Sequence, residues 1–277
     1  MFIKQLVKNY FEHDVGKNAA ALAFYLLFAL FPLLIFISNL LGLLNLNVNA
    51  ILEALAGFLP RDVVDLVEAY LDHISRSSNQ VLLWFSLVFS VWFPMRAVKG
   101  LMGDVRRAYH LGKPKHPWMY TIRRFVYTVV FLLVVVITLI LLTLGEHVLG
   151  YISTLLPEGA LQISGYLLRA WQYLRFVPAG LLMLAALGAL YAASMDEHQP
   201  IKKLLPGIIA ALVSWMIVSI GFSFYVENFA NYSVIYGTLG TVIVLLMWLY
   251  ITAIILIMGA ELNAVLKKLL DNTAEGE

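Results

Sequence analysis

The stretch Tyr232-Ser-Val-Ile-Tyr236-Gly237-Thr-Leu-Gly240-Thr241 runs through Trp248-Leu-Tyr250 and on to Gly259-Ala-Glu261-Leu-Asn263-Ala264. A bilayer core about 30 Å thick needs about 20 apolar residues to be crossed as helix. Residues 236–262 supply that length, opened by a tyrosine and glycine cluster and closed by the polar pair Glu261 and Asn263. Five more stretches of this kind precede it, at 21–44, 81–100, 125–144, 176–195 and 204–226. Composition agrees, because 61% of the 277 residues are hydrophobic and 13% are charged, where a soluble domain carries about 25% charged residues. The alternating ten-residue segments of a membrane barrel are absent, and in lipid an unclosed chain satisfies its own backbone only as helix. The expected fold is all-α: a polytopic integral membrane protein of six transmembrane helices, forming a single domain over 1–277.

Orientation follows from the cations, which cytoplasmic loops retain. Lys4, Lys8 and Lys17 precede the first span. Lys99, Arg106, Arg107, Lys113, Lys115, Arg123 and Arg124 follow the second, with Arg96 just inside it. Lys202 and Lys203 lie in the fourth loop, and Lys267 and Lys268 in the tail. These are 15 of the 19 cationic residues, whereas the other side has Arg61, Arg76, Arg169 and Arg175 and gathers Glu53, Asp62, Asp65, Glu68 and Asp72 in its first loop. Both termini are expected in the cytoplasm, and the first span reads as a retained signal anchor. With no cysteine, disulfides and thiolate metal sites are excluded. A bacterial inner membrane is the expected location.

Three segments outside the spans read as amphipathic surface helices. In residues 1–13, Ile3, Leu6, Val7, Tyr10 and Phe11 recur at helical spacing against Lys4, Lys8 and Glu12, the pattern of an interfacial helix. After Pro60, the residues Val63, Leu66, Val67, Tyr70, Leu71 and Ile74 share a face. With 48–59 they make an external helical hairpin over 48–76. Residues 151–171 are a weaker version of the same pattern.

Chemistry is constrained by what is missing. Metal-assisted phosphodiester hydrolysis needs clustered His and Asp ligands, but His13, His73, His110, His116, His147 and His198 are scattered over both sides. No catalytic residue, metal or cofactor is expected, and the basic second loop is what the positive-inside rule requires without nucleic acid. At about 1.5 Å per residue, Glu146, Glu227 and Glu261 all reach a membrane edge, so no acid sits at the midplane where ion-coupled transporters keep one. That pattern suits an amphiphile whose head group follows a polar path while its tails stay in lipid.

The candidate path or structural-lock residues are Asn39, Pro94, Arg96, Glu261 and Asn263. Pro94 removes one helical hydrogen bond and is expected to kink its span beside Arg96. Glu261 and Asn263 are expected to pair with Arg96 or an arginine of the second loop. Arg106, Arg107, Arg123 and Arg124 are candidates for anionic head groups, and Gly237, Gly240 and Thr241 form a small-residue face for close helix packing.

The opening span Ala19-Ala-Ala-Leu-Ala23-Phe-Tyr25-Leu-Leu-Phe28-Ala-Leu-Phe31-Pro32, the basic segment after the second span, and the closing Tyr236-Gly237 to Ala260-Glu261-Leu-Asn263-Ala264 together resemble the YihY/BrkB family of inner-membrane proteins, once described as ribonuclease BN. The likeness covers nearly the whole chain in matching order. It departs after the second span, where a small-residue and asparagine pattern is replaced by Gly100-Leu-Met-Gly103-Asp104-Val-Arg106-Arg107-Ala-Tyr109. The resemblance implies a six-helix membrane protein linked to envelope integrity and to lipid or solute transport. The leading expectation is a transporter or exporter of a lipid or other amphiphile, with membrane lipids, especially anionic ones, as partners. The alternatives are a non-catalytic scaffold that docks an envelope protein on the external hairpin, and a small-solute transporter; a homo-oligomer is compatible with any of them.

Overall fold

The computed structural model describes residues 2–44, 52, 63–69, 80–155, 176–196, 199–229 and 238–274. They form α1 (Phe2–Glu12), α2 (Val15–Leu44), α3 (Gln80–Ala108), α4 (Pro117–Leu155), α5 (Phe176–Ala193), α6 (Ile201–Phe229) and α7 (Thr238–Ala274), with no strand among the described residues. Each of the six expected spans falls on one of α2 to α7. Val15–Phe36, Pro117–Val135, Ile201–Val226 and Leu239–Leu269 are long and apolar enough to cross a membrane, and Gly180–Ala193 is a shorter apolar helix. The chain is an all-helical, multi-pass membrane protein.

Several helices outrun their apolar stretches. The 39 residues of α4 measure about 58 Å at 1.5 Å per residue, well beyond a core of about 30 Å. Hydropathy marks the part of a helix that lipid can hold, whereas the helix itself continues until its backbone is capped. For α3 the cap is a Schellman turn. Leu111 N–H bonds Arg106 C=O at 2.8 Å and His110 N–H bonds Arg107 C=O at 2.9 Å, with His110 in the left-handed region at φ 52°. Pro94 is buried within α3, which stays continuous from 80 to 108 around it.

The helices pack in chain order, α2 on α3, α3 on α4, α4 on α5, α5 on α6 and α6 on α7, and α7 returns to α2 to close the ring. Contacts of α3 with α5 and α7 fill its middle. The main core draws Val15, Ala19 and Leu22 from α2, Met102 and Val105 from α3, Tyr127 from α4, Leu190 and Tyr191 from α5, Leu204 and Ile208 from α6, and Ala253 and Ile257 from α7. It therefore lies toward the end where α1 and the α3–α4 turn sit. Outward, the helices present large apolar side chains such as Phe28, Val88, Val130, Leu133, Ile217 and Phe224, a surface that lipid solvates and water would not.

At the opposite end, residues 63–69 are helical and bury Val63 and Val67 while Asp65 and Glu68 stay exposed. Val63 joins Ala23, Phe222, Val226 and Val244, and Val67 joins Leu34 and Leu52. This stretch and Leu52 are the parts of the external hairpin that can be described; the rest of 48–76, and 156–171 of the third loop, lie outside the described residues.

The first helix divides its apolar residues, with Tyr10 packed against the main core and Leu6 half-buried. Ile3, Val7 and Phe11 are exposed, and Asn9 is the buried residue of α1. The apolar stripe is free to enter a lipid interface, while Gln5, Asn9 and His13 turn toward α7.

Candidate functional site

Four helices, α1, α2, α3 and α7, meet at the cation-rich end around Glu261, which is wholly buried on α7. Asn9 Nδ2 donates to Glu261 Oε2 at 2.8 Å, and His13 Nδ1 shares a hydrogen bond of 2.6 Å with Oε1. Gln5 Nε2 supports Asn9 at 2.9 Å. The His13 carbonyl accepts from Asn18 Nδ2 at 2.9 Å and Arg107 Nη1 at 3.2 Å, and its ring meets that of His110 edge-on at 5.3 Å. Arg107 also bonds Asp104 at 3.0 Å. The expected pairing of Glu261 with Arg96 or a second-loop arginine is therefore replaced by α1. Arg96 instead lies over the Trp92 ring at 5.1 Å, on the lipid-facing side of α3 where its long stem can follow the apolar surface.

Asn263 likewise takes no arginine. Its Oδ1 accepts the Gly207 N–H and its Nδ2 donates to the Leu204 carbonyl, both at 2.7 Å. Pro206 withdraws an N–H from the α6 ladder, and the buried amide of α7 bridges the backbone beside that break. Both residues do what buried polar groups must, which is to find full hydrogen-bonding partners.

Asp104, on the extension of α3 beyond its apolar stretch, is 6% exposed. Burial pushes its carboxyl up from 3.8 to about 6, with Glu261 acting in the same direction and Arg107 opposing. A raised folded-state value means that this group's contribution to stability is full below about pH 4 and is lost as pH rises through about 6. Asp104→Asn removes the titration. Its melting temperature in detergent is expected to match the wild type near pH 4 and exceed it above pH 6, by a difference of at most about 3 kcal/mol in stability for a shift of about two units. A gap between the two proteins that does not change with pH contradicts this placement of the carboxyl.

The four arginines expected to meet head groups have unequal duties. Arg106 is buried; it donates to Ser194 O at 3.0 Å, Gly112 O at 2.7 Å and Asp196 Oδ2 at 2.9 Å, and lies over Tyr120 at 5.4 Å. The Arg106 hydrogen bond holds Asp196 below the usual carboxylate range. Arg123 donates to Met195 O at 2.9 Å and Ala193 O at 3.3 Å. Together Arg106 and Arg123 satisfy the carbonyls that α5 leaves open at its C-terminus. Arg107 is bound to Asp104, as described. Arg124 differs, since its Nε is shielded from solvent and has no hydrogen-bond partner among the described residues.

Arg124 lines a cavity of about 360 Å³ that opens between α3, the turn after it and α4. Its cationic lining is Lys99, Arg106, Arg107, Lys113 and Arg124, with Gly103 and Tyr120 among the other walls and no acidic residue among the described ones. Lys99 and Lys113 join this site from the cation count of the second loop, where no pattern distinguished them from their neighbours.

Of the remaining candidates, Asn39 falls near the end of α2, and Gly240 and Thr241 are buried at the start of α7. Gly237 lies outside the described residues. A close helix crossing lies elsewhere, at Gly207 on α6 and Gly259 on α7. A Cβ on Gly207 would stand 2.1 Å from the Gly259 carbonyl oxygen, and one on Gly259 would stand 2.7 Å from the Tyr191 hydroxyl. That hydroxyl donates to Leu256 O at 2.6 Å, tying α5 to the same crossing.

Residues 6–277 match the family model described as Virulence factor BrkB. A putative ribonuclease-like protein, YfkH of Bacillus subtilis strain 168, is 31% identical over 267 residues, covering 96% of this chain and 95% of its own. The UPF0761 membrane protein PSHAa0171 of Pseudoalteromonas translucida is 23% identical, over 94% of this chain and 84% of its own. A further UPF0761 membrane protein, from Alkalilimnicola ehrlichii, is 26% identical over 90% of this chain, which spans 54% of that relative. No solved structure matches the chain. A match from residue 6 to the last residue, together with relatives named as bacterial membrane proteins and several apolar spans, places this chain in the BrkB family of multi-pass membrane proteins.

Proposed function

We propose that this protein is a non-enzymatic transporter of a lipid or other anionic amphiphile in the bacterial inner membrane, with six spans and with both termini and the cationic cavity on the cytoplasmic side. The observation that carries the reading is the cavity at the base of α4. It is lined by five cations, and the helix it adjoins shows lipid a nearly continuous apolar surface, including Ile122, Phe125, Val126, Val130 and Leu133. A head group in the cavity would leave its tails against that surface, so the polar part of an amphiphile is served by protein and the apolar part by the bilayer. Anionic lipid is attracted at about 1 kcal/mol per cation near the surface, which favours such a molecule over a neutral solute. The buried Glu261 junction and the capped α5 terminus are the scaffold that holds the cavity's walls. A scaffold protein that docks a partner on the external hairpin would make no use of this cavity.

The test is reconstitution of the purified protein into phosphatidylcholine vesicles that contain a trace of fluorescent phosphatidylglycerol. The protein alone should speed exchange of the probe between leaflets, read as probe that an impermeant quencher reaches over time. Exchange no faster than in protein-free vesicles would sink the transport reading and leave the scaffold.

A further inference from the structure

The cavity's charges are not equally committed. Arg106 is paired with Asp196 and Arg107 with Asp104. Lys99, Lys113 and Arg124 have no ion pair among the described residues, and Lys99 and Lys113 are exposed at the mouth. Three uncompensated cations face one opening.

Arg124 makes the site specific. A shielded guanidinium Nε–H without an acceptor has lost water and received nothing in return, a cost that proteins ordinarily avoid. Arg124 lines the cavity, so a turn of its side chain toward an anionic oxygen held there would give that donor an acceptor. Gly103 leaves room for it, since a Cβ there would meet no atom within 4 Å. Arg106 and Tyr120 fix the rear wall, because the guanidinium and the ring are held together by stacking and by three hydrogen bonds to carbonyls and Asp196.

We infer that the cavity between α3 and α4 is a phosphate-binding site, in which Arg124, Lys99 and Lys113 hold the phosphoryl oxygens of a phosphate ester. The inference rests on the transport reading for its biological setting and on the cavity alone for its chemistry. Phosphate fits because it presents several charged oxygens to the donors that line the cavity, one planar guanidinium and two mobile ammonium groups. The phosphate can belong to a lipid head group or to a soluble ester, and binding measurements separate these sources.

The experiment uses the full chain in a neutral detergent. Retention of phosphatidylglycerol and of phosphatidylcholine is measured by native mass spectrometry, and stabilisation by inorganic phosphate is measured against chloride at equal ionic strength. Arg124→Gln removes the unpartnered donor, Gly103→Leu fills the space without changing charge, and Lys268→Gln removes an exposed cation remote from the cavity. The expected result is preferential retention of phosphatidylglycerol, weakened about fivefold by Arg124→Gln, lost in Gly103→Leu and unchanged in Lys268→Gln. Stabilisation by inorganic phosphate with the same variant pattern, and no preference between the two lipids, assigns the site to a soluble phosphate ester and equally supports it. Binding of neither probe, or binding that both cavity variants leave intact, overturns the site. Since no translocation is measured, a failed site with vesicle exchange retained removes only this inference, and a bound phosphate without exchange removes only the transport reading.

Discussion

Gly207→Ala is expected to cost about 3 kcal/mol or more and to leave little folded protein after extraction into detergent. The added methyl would stand 2.1 Å from the Gly259 carbonyl oxygen and 2.5 Å from Asn263 Cγ. A backbone oxygen moves only if its helix moves, so α6 and α7 must separate by more than 1 Å to restore ordinary contact. Separation of that size breaks both 2.7 Å bonds from Asn263 to the α6 backbone. Overpacking typically costs 1–3 kcal/mol, and each buried group left unsatisfied adds about 1–3 kcal/mol. Gly221→Ala is the internal control, because on the same helix its Cβ would meet nothing within 4 Å. Thermal melting of the two variants should differ widely; equal tolerance would mean that α6 and α7 do not cross at Gly207.

Glu261→Ala should be the second severe change, at about 2–4 kcal/mol, because each buried donor left without its acceptor costs about 1–3 kcal/mol. It strips acceptors from Asn9 and His13 and so releases α1 from α7. The coupling partner is the informative part. A double-mutant cycle in detergent should show strong coupling between Glu261→Gln and His13→Ala, because the two side chains share one hydrogen bond. Glu261→Gln combined with Arg96→Gln should be additive, with no recovery of stability from the second change. Recovery by Arg96→Gln would restore the pairing that the sequence suggested and contradict the junction with α1.

The all-helical, multi-pass membrane character was legible because lipid leaves only one reading of 20 apolar residues without charge. The helix extensions were not, since Asp104, Arg106 and Arg107 lie on helix beyond the point where hydropathy falls. Proximity was the harder matter. Glu261 and Arg96 look complementary as isolated charges, but which side chain reaches which is decided by helix rotation, and Arg96 faces Trp92 instead. One signal for the true partner was present. Gln5, Asn9 and His13 recur every four residues along α1 and into the turn after it, a polar stripe beside the apolar one that Ile3, Val7 and Phe11 make, and a polar stripe on a surface helix can mean a buried acceptor as well as water. The duties of Arg106 and Arg123 had no such signal, because they depend on where α5 ends in space. The Gly207 and Gly259 crossing was concealed by the more conspicuous Gly237 and Gly240, and only the close approach of two backbones in the fold identifies it.

The most direct measurement is the rate at which vesicle-reconstituted protein exchanges fluorescent phosphatidylglycerol relative to the matching phosphatidylcholine probe, in the wild type and in Arg124→Gln. If head groups are handled at the α3–α4 cavity, the wild type should favour phosphatidylglycerol and Arg124→Gln should lose about fivefold of that preference while still folding. Equal rates for the two probes in the wild type, or a preference that Arg124→Gln leaves unchanged, would contradict a role for the cavity in moving lipid.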